Sequence, residues 1–135
     1  MHQKQVVNPP DLFKSTEYGF SQIVITPPGR LVFISGQVAW NEKEVIIGKD
    51  DLEVQTRESI ENLERALHAV GGTLENIVML RIYKVNYVQG DGPVIGKVLR
   101  EKFGTSTPPA STWLSVNGLA NPDFMIEIEA QAVIT

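Results

Sequence analysis

The C-terminal stretch carries the strongest constraint on the fold. Pro108-Pro109-Ala110-Ser111-Thr112-Trp113-Leu114-Ser115-Val116 and Met125-Ile126-Glu127-Ile128-Glu129-Ala130 both alternate apolar and polar residues with a period of two, the repeat of a half-buried strand. Asn121-Pro122-Asp123 between them is a turn signal, so the two segments predict an antiparallel strand pair. One face of the pair carries Ala110, Leu114, Val116, Ile126, Ile128, Ala130, Ala132 and Ile134 and is assigned to the core. Because side chains alternate across a strand, the other face carries Ser111, Trp113, Ser115 and Asn117 beside Glu127, Glu129 and Gln131. A large aromatic among carboxylates on a face turned from the core calls for a cover, and another subunit supplies one. The alternative is that Trp113 is a half-exposed strand aromatic.

Upstream, Lys4 to Asn8 predicts a short edge strand stopped by Pro9-Pro10, and Asp11 to Tyr18 a polar loop. Phe20 to Ile25 and Arg30 to Ala39 are strand-like, and Pro27-Pro28-Gly29 between them predicts a hairpin. Gly36 interrupts the second run within Ser35-Gly36-Gln37, which marks either a bulge or a close approach to the backbone.

Asp50 or Asp51 caps a helix whose apolar positions Leu52, Ile60, Leu63, Leu67 and Val70 recur at helical spacing before Gly71-Gly72. Its charged residues form opposite-sign pairs three or four apart, the pattern of a solvated face. Ile77 to Val85 is apolar on both faces for most of its length and is placed centrally in the sheet, with Arg81 and Tyr83 on one side. A second helix opens at Gly90-Asp91-Gly92-Pro93, buries Val94, Ile95, Val98, Leu99 and Phe103, and stops at Gly104. Those glycines lack the spacing and lysine of a phosphate loop. Two helices need one apolar sheet face, which predicts a single two-layer α/β (α+β) domain over residues 1–135, its mixed sheet having about six strands.

Composition narrows the function. With no cysteine, disulfides, thiolate metal sites and cysteine nucleophiles are excluded, which fits a reducing cytoplasm. His68 has no second histidine nearby, so no metal site is predicted. The net charge of −4 and the scattered Lys and Arg residues argue against nucleic acid as a partner. Met1-His2-Gln3-Lys4-Gln5 lacks the apolar core of a signal peptide, and no apolar run reaches membrane-spanning length.

Phe20-Ser21-Gln22, Ile34-Ser35-Gly36-Gln37, the helix ending in Gly71-Gly72, Pro109-Ala110 and Ile126-Glu127-Ile128-Glu129-Ala130 occur in an order and spacing that resembles the Rid family, also called the YjgF or reactive-intermediate-deaminase family. The resemblance covers nearly the whole chain. It implies a chorismate-mutase-like fold, a homotrimer with sheets turned inward, and a small-molecule pocket at each subunit interface. It also implies hydrolysis of enamines or imines to a keto acid and ammonia, with no metal or organic cofactor.

By that resemblance Glu127 falls on the glutamate that positions or activates water, and Gly36 on the glycine whose backbone approaches the ligand. Phe20 replaces the family's usual tyrosine. Ser111 stands where the family enzymes carry the arginine that grips a substrate carboxylate, and a hydroxyl cannot neutralise that charge. Trp113, two positions on, adds a flat apolar wall. The pocket of Phe20, Gly36, Ser111, Trp113 and Glu127 is thus less cationic and more aromatic, suited to a neutral or ring-bearing ligand. Arg81 and Arg30 are the candidates for a replacement cation.

Three readings follow. The first is a binder or enzyme acting on a carbonyl or imine metabolite other than the standard amino-acid-derived imine. The second is a genuine deaminase of 2-iminobutanoate or imino-pyruvate, and the third a non-catalytic trimer whose Trp113 and Glu127 face only seals the assembly. Endoribonuclease chemistry finds no histidine pair and no basic groove here.

Overall fold

A computed structural model describes residues 4–135; Met1, His2 and Gln3, on which part of the signal-peptide reading falls, lie outside the described residues. Six strands form, β1 (Gln5–Val7), β2 (Ile23–Ile25), β3 (Arg30–Gln37), β4 (Ile77–Val85), β5 (Ala110–Val116) and β6 (Ile126–Ile134), with helices α1 (Leu52–Ala69) and α2 (Asp91–Phe103). They divide into a two-stranded ribbon, β1-β2, and a four-stranded mixed sheet in the order β3-β6-β4-β5.

The helices form where the sequence predicts. The Asp51 side chain accepts from the Val54 N–H at 3.0 Å, satisfying one of the free donors at the start of α1. Gly71 follows the helix at φ 83°, a left-handed conformation that glycine adopts without strain. Ile60, Leu63 and Leu67 of α1 and Ile95, Val98 and Leu99 of α2 are fully buried against Leu80, Ile82, Ile126 and Ile128. Truncating one such leucine to alanine costs about 2–5 kcal/mol. Val70, counted in the helical stripe from its spacing, lies past the last turn and is exposed.

Two predicted pairings are overturned. β2 does not form a hairpin with β3; it pairs antiparallel with β1, Val6 opposite Val24. Two successive prolines lack the N–H groups that a tight ladder would need, and the Pro27-Pro28-Gly29 link carries the chain from one sheet to the other. Nor does β5 pair with β6. It runs parallel to β4, Ile82 opposite Trp113, while β6 lies antiparallel between β3 and β4. The reason is α2: a helical crossover returns the chain in its original direction, so β4 and β5 must run parallel. β4 is an interior strand, as its apolar run predicts.

Candidate functional site

The parallel register decides where each predicted site residue stands. Leu80 pairs with Ser111 and Ile82 with Trp113, so Ser111 and Trp113 point to the helix-covered side, where Trp113 packs against the core. Tyr83 pairs with both Leu114 and Glu127, so Leu114 and Glu127 share the open face. This corrects the sequence reading: Trp113 and Glu127 lie on opposite faces of one sheet, and Leu114, predicted to be core, is 42% exposed. The five predicted residues separate into two groups, Gly36 with Glu127 and Phe20 with Ser111 and Trp113.

Gly36 sits in a bulge. Three steps along β3 from Ile34 to Gln37 oppose only two along β6 from Ala130 to Ile128. A Cβ at Gly36 would stand 2.0 Å from Glu127 Oε2, so the bulge and the close approach coexist, and what approaches is the Glu127 carboxylate itself. Burial first, and the neighbouring Glu129 charge second, raise the Glu127 carboxyl above its ordinary pKa, and among the described residues no cation offsets them. Glu129 is already engaged, accepting from the Tyr83 hydroxyl and lying 4.0 Å from Arg81 Nη1. That hydrogen bond is the main cause pushing the Tyr83 hydroxyl pKa up. Glu127 is left as the carboxyl able to take a proton from a water or a ligand. Leu31 and Phe33 lie on the same face, 60% and 68% exposed.

On the other side, a short anchor brings Phe20 to the β5 edge. Ser21 is buried, donates its hydroxyl to the Pro108 carbonyl at 2.6 Å and its N–H to that of Pro109 at 3.0 Å. The Phe20 and Trp113 rings then meet at 5.9 Å and 50°, and the indole N–H donates to Ser111 Oγ at 3.0 Å. Phe13, Tyr18 and Tyr87 complete a cleft of about 260 Å³.

Sequence reading missed these three rings. Phe13 and Tyr18 were hidden in a segment read as polar loop, though two aromatics within it were the available signal. Tyr87 is presented by a loop clamped at both ends: its N–H donates to Ser115 Oγ at 3.0 Å, and buried Lys84 lies 3.1 Å from Asp91 at the start of α2. Neither candidate arginine reaches this cleft. Arg81 is on the open face, and Arg30 begins β3, the sheet edge opposite β5. Among the described residues no group of three His, Cys, Asp or Glu side chains is placed to hold a metal ion, and no helix is long and apolar enough to cross a membrane.

Two helices on one face of a mixed sheet, with a glutamate facing a glycine bulge on the other, define a two-layer α+β domain. The chain belongs to the Endoribonuclease L-PSP family, whose pattern matches residues 14–134. A conserved Rid-family protein from Yersinia pestis superimposes with a TM-score of 0.92 at 35% identity, covering 97% of this chain and 98% of its own. A RutC family protein of Pyrococcus horikoshii is 35% identical over 77% of this chain and 79% of its own. The 3-aminoacrylate deaminase RutC of Acinetobacter baylyi is 28% identical over 79% of this chain and 82% of its own.

Proposed function

We propose that this protein is a cytoplasmic homotrimer whose subunit interfaces hold pockets that bind or hydrolyse a carbonyl- or imine-type metabolite other than the standard amino-acid-derived imine. The observation that carries the reading is the Glu127 carboxylate lodged against Gly36, its pKa raised by burial and by the neighbouring Glu129. Since Ser111, Trp113 and Phe20 lie across the sheet from it, the pocket joins the open face of one protomer to the β5 edge of another. The exposed Leu31, Phe33 and Leu114 support burial of that open face.

In hydrolysis, water attacks the imine carbon while Glu127 accepts its proton. That proton passes to the imine nitrogen to give a neutral carbinolamine, whose hydroxyl proton then moves to the nitrogen as the C–N bond breaks, so that ammonia leaves and a carbonyl product remains. Without an arginine at Ser111, a substrate carboxylate would be held weakly, which disfavours 2-iminobutanoate and imino-pyruvate.

A dehydratase that generates those two imines in situ tests the reading. Wild type is expected to accelerate their loss little, and Ser111→Arg to gain activity that Glu127→Gln removes, by about a hundredfold or more for a lost general base. Strong acceleration by wild type would establish instead the second reading, a genuine deaminase, which the resemblance to the Acinetobacter enzyme favours. If Trp113→Ala or Glu127→Gln breaks the oligomer in size-exclusion chromatography, the residues chiefly seal the assembly. Ribonuclease chemistry, despite the family's name, has no basic groove in a chain of net charge −4 to support it.

A further inference from the structure

We infer that the cleft of Phe13, Tyr18, Phe20, Tyr87 and Trp113 binds an uncharged aromatic or heteroaromatic ring. The inference deepens the proposed function by naming a ligand class, and its test reads binding without turnover, so the two fail separately.

The walls of the cleft are five aromatic side chains and no charged one. Its polar inventory is largely spent: the Trp113 indole N–H is held by Ser111 and the Tyr87 N–H by Ser115. Only the phenol hydroxyls of Tyr18 and Tyr87 remain as polar groups of the lining side chains. A carboxylate entering would lose water without gaining a cation as partner. A ring loses little solvation and gains offset or edge contacts on several faces.

Geometry and size agree. Successive rings are inclined rather than stacked, Phe13 to Tyr18 at 6.2 Å and 68°, and Phe13 to Phe20 at 6.1 Å and 68°, so they wall a space instead of filling it. At about 260 Å³ the cleft falls just below the range of drug-sized pockets, which suits one or two fused rings. Gly92 lets the Tyr87 ring seat against α2: a Cβ there would stand 2.7 Å from the Tyr87 hydroxyl.

Ligand-observed NMR titration with indole, against 2-oxobutanoate as the acyclic carboxylate, tests the assignment. Indole should saturate the full-length protein with a Kd below about 10 mM, at least about tenfold tighter than 2-oxobutanoate. Trp113→Ala and Phe13→Ala should each weaken indole by about tenfold, whereas Trp40→Phe, whose ring packs on Phe124 elsewhere, should not. Phe13 is 61% exposed, so its truncation leaves a folded protein even if Trp113→Ala does not. The inference is overturned if indole fails to saturate, if 2-oxobutanoate binds as tightly, or if the Phe13 variant binds indole like wild type.

Discussion

On the open face of the sheet, carboxylates stand on adjacent rungs: Glu127 opposite Tyr83, Glu129 opposite Arg81. The Glu127 carboxyl is shifted upward, by its burial first and by the neighbouring Glu129 charge second. Across the same sheet, at the β5 edge, the walls are rings without charge. The first region works through electrostatics and answers to pH; the second works through shape and answers to side-chain volume. Perturbations of charge and of volume should therefore separate them.

The largest effect is expected at the clamp behind the aromatic cleft. Lys84 is buried, pairs with Asp91 and donates to the Val85 carbonyl at 2.6 Å. Lys84→Met would strand the Asp91 charge and should cost about 3–5 kcal/mol in denaturant unfolding. In a Trp40→Phe background, Trp113 emission should also shift as the Tyr87 loop loosens; unchanged emission would show that the clamp does not shape the cleft.

Next comes the bulge beneath the carboxylate. Gly36→Ala forces Glu127 aside and should destabilise by about 1–3 kcal/mol, while Gly118→Ala, with no atom near its added methyl, should change little. Equal melting of the two variants would refute the close packing of Gly36 on Glu127.

The smallest effect sharpens the electrostatic half. Glu127 has a higher pKa folded than unfolded. Its contribution to stability is therefore complete below the ordinary glutamate value of about 4.3 and is lost as pH rises through the folded value. Glutamine cannot ionise. Glu127→Gln should melt above wild type at neutral pH and lose that advantage at about pH 4; an equal gap at both would locate the effect in packing instead of charge.

Local chemistry was enough to delimit much of this protein. Asp51 and Gly71 bracket α1, Gly104 stops α2, and the alternation of β6 correctly predicts Ile126, Ile128 and Ala130 as buried. Each of these follows from residues within a few positions of one another, where helical or strand period alone decides the outcome. The same alternation along β5 was read correctly as a period and wrongly as a side. A strand's period says which residues share a face, but only the partner's register says which face is inward. For β5 that partner is β4, reached through α2, and not the sequence neighbour β6. The same limit hid the aromatic cleft, since Phe13, Phe20, Tyr87 and Trp113 come from distant parts of the chain. The sequence by itself determined the elements and the family; the tertiary structure decided which residues meet, because long-range pairing depends on the path of the chain and not on any local pattern.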